Sequence, residues 1–201
     1  MNNFDSDFEF LIDKENKLSP DYVPANLIVL DDNENNFRNY KDATLKPMLR
    51  ADIIPDLNKM FEDAKKKGYY FLVDSGYRSY NYQNVILENV KKEKGVDVAI
   101  KLVASPGASE HQSGLCFDIA YFYNGVYSDN VKDNDEEVNW LIDNSYKYGF
   151  ILRYPKGKED ITGFSYEPWH YRYVGKELAK ILHDDNITLD EYHKAKKVRK
   201  R

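Results

Sequence analysis

The sequence contains a single cysteine, Cys116, which excludes an internal disulfide. The compartment stays open on that evidence, because exported bacterial domains also manage without disulfides. Long apolar runs are missing as well. No stretch approaches the roughly 18 consecutive apolar residues of a membrane-spanning helix. Positive charge is in short supply, with 29 Lys and Arg against 34 Asp and Glu, a net charge of −5 and a pI near 5.5. A general attraction for nucleic acid is therefore excluded. Residues Met1 to Asp13 carry acidic groups and no apolar h-region, so no signal peptide is expected. As it stands the chain is expected in the cytoplasm, or on the cell-wall side of the membrane if an export segment has been removed.

What is present suits one soluble domain. The 201 residues are enough for one substantial core, and 42% hydrophobic with 31% charged residues is a globular balance. Aromatics are plentiful: 17 Tyr, 10 Phe and 2 Trp. Tyrosine pairs apolar area with one polar tip, which suits half-buried strands and the walls of a polar-ligand cleft; a compositional bias towards Asn, Lys and Tyr is the alternative. The one basic run, Lys194 to Arg201, is either a contact for an anionic surface or a frayed, solvated terminus.

The pattern along the chain predicts three regions: an irregular arm over residues 1–45, a domain over 46–190 and a basic tail over 191–201. The arm is rich in Asn, Asp and Pro, with an edge strand expected near Leu27–Leu30. A helix is expected from Ala51 to Lys67, with Ile54, Leu57, Met60, Phe61 and Ala64 on one face and Gly68 at its C-cap. Strands are expected at Tyr69–Asp74, Leu115–Tyr123, Phe150–Tyr154 and Trp169–Val174, and Asn124-Gly125 reads as a hairpin turn. Helices are expected at Ser79–Lys94, with Val85, Ile86 and Val90 inward, and at Glu136–Tyr148, ending at Gly149. Two more follow, at Lys176–His183 and Leu189–Lys197. Thr188 and Glu191 form a capping box for the last. Helices mixed with hairpin-linked strands, without a βαβ repeat, predict an α+β fold.

Four histidines occur, and two stand in unusual company. His111 lies in a run from Ser109 to Asp118 that includes Gly114. His170 lies three residues after Glu167, in a Glu-Pro-Trp-His-Tyr-Arg-Tyr run. Two imidazoles and a carboxylate, with one position open to water, form a catalytic zinc set, and His111, Asp118 and His170 fit that description. Gly114 permits the tight turn that would aim His111 and Asp118 at one point. Cys116 shares the strand face of Asp118, as a further ligand or as a small buried filler. Glu167 is a candidate base for the metal's water, placed in a bend fixed by Pro168. Arg78, at a strand-to-helix junction, offers a permanently charged fork for a carboxylate or an oxyanion, or a helix-start salt bridge.

Three blocks of this sequence resemble the VanY/VanX-type zinc D-alanyl-D-alanine peptidases. They are Ser75-Gly76-Tyr77-Arg78-Ser79 with Gln83, the Ser-x-His-x-x-Gly-x-x-x-Asp block from Ser109 to Asp118, and Gly149 through Gly175. They occur in the family's order, and the third is closest to the VanY-like carboxypeptidases. The resemblance implies a Hedgehog/DD-peptidase-like fold, a small antiparallel sheet with surrounding helices. It implies one Zn2+ on His111, Asp118 and His170, Glu167 as catalytic base and Arg78 at the transition state. Gln83, Ser109 and Trp169 would contact substrate. The family commonly has alanine where this chain has Cys116.

The implied activity is removal of the C-terminal D-alanine from a peptidoglycan stem peptide, or its precursor, ending in D-Ala-D-Ala, by a monomer. An L,D-carboxypeptidase trimming tetrapeptides would use the same metal site, and a dipeptidase would need a closed pocket. A catalytically silent metal-binding module would need neither Glu167 nor Arg78.

Overall fold

The structure, a computed structural model, describes residues 8–30, 46–123 and 126–199. Its first two strands, β1 (Leu27–Val29) and β2 (Met48–Arg50), pair antiparallel as a small ribbon, with Leu27 opposite Arg50. Helix α1 (Ile54–Lys65) carries Pro55 in its first turn, where the missing N–H has no helical partner to lose. It buries Leu57, Met60, Phe61 and Ala64, the face its 3.6-residue periodicity predicts. Strand β3 (Phe71–Ser75) then leads to α2 (Tyr80–Lys94), which Ser79 caps by accepting from the Tyr82 N–H at 3.2 Å.

One inward residue of α2 differs from expectation. Val85 is 52% exposed, whereas Gln83 and Leu87 are buried and Ile86 and Val90 half-buried. Positions two apart do not share a helix face, so burying 83 and 87 turns 85 outward. Gly95 ends α2 as expected, and a further helix, α3 (Val96–Leu102), lies against it and buries only Ala99. Its Val-Asp-Val-Ala-Ile-Lys-Leu run alternates like a strand, which hides the helix from periodicity.

The main sheet is built around β4 (Cys116–Tyr123), the longest strand. β5 (Val126–Ser128) returns along it, pairing Tyr123 with Val126; the expected Asn124-Gly125 turn lies outside the described residues. After α4 (Glu136–Asn144) and a 3-10 turn over Ser145–Tyr148, Gly149 reverses the chain at φ +86° into β6 (Phe150–Leu152). A Cβ at Gly149 would meet the Tyr173 ring at 2.7 Å, so only glycine fits this junction. The short α5 (Glu159–Thr162) precedes β7 (His170–Tyr173), and α6 (Lys176–Asp184) and α7 (Leu189–Arg199) complete the chain. Thr188 and Glu191 form the expected capping box, with reciprocal bonds of 2.8 and 3.1 Å. Helix α7 takes in the first part of the basic run, from Lys194 to Arg199.

The five strands run β3-β4-β7-β6, with β5 also on β4, and every pairing is antiparallel. Helices pack around this sheet, giving the α+β class. Aromatic rings fill the centre: Phe117 packs against Phe150 at 5.4 Å and Tyr171 at 6.2 Å between centroids, all three fully buried. Each such side chain contributes roughly 1.5–3 kcal/mol through burial. This rigid floor sets the positions of the polar residues at its edge.

Candidate metal centre and active-site cleft

The register of β4 on β7 places Asp118 directly opposite His170. Cross-strand partners project from the same face, so the pairing alone brings carboxylate and imidazole together. Asp118 Oδ1 lies 2.9 Å from His170 Nδ1. His111 arrives from the other side, on the 3-10 turn Glu110–Ser113. Gly114 follows at φ +67°, and a Cβ there would lie 2.8 Å from Leu27, so the turn into β4 requires glycine, as the sequence predicts. His111 Nδ1 sits 2.6 Å from the Gly76 carbonyl oxygen, which can only accept; the ring therefore donates there and turns Nε2 inward. Nε2 lies 3.3 Å from Asp118 Oδ2.

Both imidazoles are buried, and their rings stand 5.0 Å apart at 71°. Burial pushes the Asp118 carboxyl up, but the two histidines outweigh it and hold the group well below the usual carboxylate range. An ionised carboxylate bridging two buried imidazole nitrogens is a donor set that fits a divalent metal of the zinc type. Cys116 is buried on the same strand. His111, Cys116 and His170 each place one donor atom within 4.8 Å of the others, so geometry alone keeps the thiol near the centre.

Glu167 lies in the bend before β7, held by its N–H to Tyr154 O at 3.1 Å, with Pro168 and Trp169 forming the turn the sequence predicts. Its Oε2 is 3.8 Å from His170 Nδ1. Burial raises its proton affinity, which suits a group that must accept a proton and later release it. Arg78 is fixed by three bonds: to Ser75 Oγ at 3.2 Å, Gln83 Oε1 at 3.1 Å and Asp118 Oδ2 at 3.0 Å. Two of a guanidinium's five N–H donors thus stay free for a ligand.

The sequence-predicted residues Arg78, Gln83, Ser109, His111, Asp118, Glu167, Trp169 and His170 all line one cleft. Gln83 is buried and spends both ends of its amide internally, on Arg78 and on the Ala104 carbonyl at 3.0 Å. Sequence reasoning missed the apolar wall of Ile86, Leu102 and Val103 and the Tyr154 ring, which packs 5.0 Å from His170. It also missed Glu110, completely buried between Arg153 and Arg172.

An α+β domain that gathers two imidazoles and two carboxylates beside an arginine in an open cleft has the site of a metal-dependent hydrolase. Residues 46–176 match the family model for VanY, D-alanyl-D-alanine carboxypeptidase. The YodJ protein of Bacillus subtilis (strain 168) is 43% identical over 94% of this chain and 68% of its own length. A D-alanyl-D-alanine carboxypeptidase of Enterococcus faecalis (strain ATCC 700802 / V583) is 42% identical over 70% of this chain and 53% of its own length, and one of Enterococcus faecium is 32% identical over 90% of this chain and 56% of its own length. Among solved structures, the LdcB LD-carboxypeptidase superposes with a TM-score of 0.81 at 42% identity, covering 92% of this chain and 84% of that one. A mutant of the vancomycin-resistance D,D-pentapeptidase VanY in complex with Zn(II) gives a TM-score of 0.74 at 34% identity, covering 92% and 98%. The chain belongs to the VanY family of D-alanyl-D-alanine carboxypeptidases. Among the described residues no helix is long and apolar enough to cross a membrane.

Proposed function

We propose that this chain is a zinc carboxypeptidase that hydrolyses the last peptide bond of cell-wall peptides ending in D-Ala-D-Ala, releasing D-alanine. The observation carrying this reading is the convergence of His111, Asp118, His170, Glu167 and Arg78 on one cleft. The names of the enterococcal relatives and the Zn(II) complex of VanY support the substrate and the metal.

In this reading His111 through Nε2, Asp118 and His170 through Nδ1 would hold the zinc, which when bound would supply Lewis acidity and a water acidic enough to ionise near neutral pH. Glu167 accepts the proton of the attacking water as its oxygen adds to the peptide carbonyl carbon. The same carboxyl then passes that proton to the departing amine as the C–N bond breaks. Arg78 offers its two free N–H donors to the carbonyl oxygen as charge builds on it, a type of contact worth roughly 3–4 kcal/mol. The partner is a stem peptide of peptidoglycan or its precursor. A monomer is sufficient, because every residue in these roles comes from one chain.

A second reading is an L,D-carboxypeptidase that cleaves D-alanine from a tetrapeptide. The superposition on the LdcB LD-carboxypeptidase, at the higher TM-score of 0.81, favours it. The scissile bond would meet the same metal, base and arginine, and only the wall facing the penultimate residue would differ. Rates on peptides ending Lys-D-Ala-D-Ala and Lys-D-Ala separate the two. Faster release from the first supports the D,D reading, and faster release from the second replaces it with the L,D reading.

A further inference from the structure

Glu110 lies immediately before His111, and its side chain is fully buried in a polar cage. Its Oε1 accepts from Arg153 Nε at 2.8 Å and from Arg172 Nη1 at 2.9 Å. All three side chains are 0% exposed. The arginines are braced in turn. Arg153 bonds Asp190 of α7 at 2.6 and 3.3 Å, and Arg172 donates to the carbonyls of Phe8 and Phe10 at 3.0 Å each. The second oxygen, Oε2, has no hydrogen-bond partner, and neither has His170 Nε2. These two orphaned, buried atoms face each other at 3.6 Å.

Leaving a carboxylate oxygen and an imidazole nitrogen buried and unpaired is costly, so a cage built this firmly around them implies a use. His170 directs Nδ1 at Asp118 and the metal centre. A ring that ligates through Nδ1 must carry its proton on Nε2, where an acceptor is needed. A movement of a few tenths of an ångström closes the gap to a hydrogen bond. The chemistry matches: the acceptor is anionic, fixed by two guanidinium groups and shielded from water.

We propose that Glu110 is a positioning residue for the metal centre, holding His170 in the Nε2–H form so that Nδ1 presents its lone pair to the ion. The proposal rests on the reading of His111, Asp118 and His170 as zinc ligands. It also gives the N-terminal residues around Phe8 and Phe10 and the helix α7 a role at the metal, through the arginines they anchor. His111 is held in the opposite form, Nδ1–H, by the Gly76 carbonyl. The two ligating rings therefore face the ion through different nitrogens, each fixed from behind by its own acceptor.

The test is the zinc dissociation constant, measured by competition with a chromophoric chelator, for the wild-type protein and for Glu110→Gln. The variant is expected to bind zinc about 10- to 100-fold more weakly. A core truncation of comparable thermal cost on α4, Leu141→Ala, is expected to change zinc affinity less than about twofold, because it touches no ligand. Zinc binding by Glu110→Gln as tight as wild type overturns the proposal and leaves the ligand assignment standing. A wild-type protein that binds no zinc overturns the ligand assignment itself. Should Glu110→Gln fail to fold, nitrogen NMR of the four histidine rings in the zinc-loaded wild type decides. A protected proton on Nε2 of His170 and on Nδ1 of His111 is expected, and a proton on Nδ1 of His170 overturns the proposal.

Discussion

Arg78 and Asp118, forty residues apart in sequence, meet in a 3.0 Å ion pair in the lining of the cleft, with 18% and 15% of their side-chain surface exposed. The pair joins the group assigned to the carbonyl oxygen to a group assigned to the metal. A change in either is therefore felt by both. The arginine's bonds to Ser75 and Gln83 fix the plane of its fork before substrate enters.

Arg78→Ala is expected to lower kcat by about 10²–10³-fold while leaving zinc bound, since it removes an oxyanion donor and no ligand. Arg78→Lys is expected to recover little of that loss, because an ammonium cannot reproduce three bonds in one plane. Steady-state kinetics with metal analysis of the purified variants checks both.

Glu167→Gln keeps the shape of the cleft and removes the base. Turnover is expected to fall by about 10²–10⁴-fold with zinc stoichiometry unchanged. A zinc-loaded Glu167→Gln enzyme with near wild-type kcat would contradict the role given to this carboxylate.

Two three-donor sets are geometrically available, one with Asp118 and one with Cys116. Cys116→Ala is expected to retain zinc and activity, whereas Asp118→Ala is expected to lose both. In the cobalt-substituted protein the near-ultraviolet thiolate charge-transfer band is expected to be absent. Its presence would make Cys116 a ligand.

Gly76 contributes a carbonyl to His111 and has room for nothing more. A Cβ at this position would lie 2.3 Å from the Met48 carbonyl oxygen. Gly76→Ala is expected to cost roughly 1–3 kcal/mol of stability through the forced backbone shift. Because the shift moves the oxygen that fixes the His111 ring, zinc affinity is expected to fall as well. Thermal unfolding with and without zinc measures the two effects separately.

Much of this site was legible in the sequence because strand periodicity and glycine placement carry geometry. The stretch from Leu115 to Tyr123 announces a strand, and Gly114 announces the turn that brings His111 to Asp118. Pro168 makes Glu167 a bend residue rather than a strand residue. The opposition of Asp118 and His170 was not legible, because strand register is set by pairing between residues 52 positions apart in the chain. Glu110 escaped because a charged residue is read as solvated unless its partners are known, and Arg153 and Arg172 reach it only in the folded sheet. Val85 and α3 escaped for a local reason: a helix lying half-exposed on the surface has a weak apolar face to detect.

The most direct test is release of free D-alanine from a peptide ending Lys-D-Ala-D-Ala, followed with zinc present and after chelation. Release that stops on chelation and returns with added zinc is the expected result. No release from a folded, zinc-loaded protein on this peptide would contradict a zinc D-alanyl-D-alanine carboxypeptidase at this cleft.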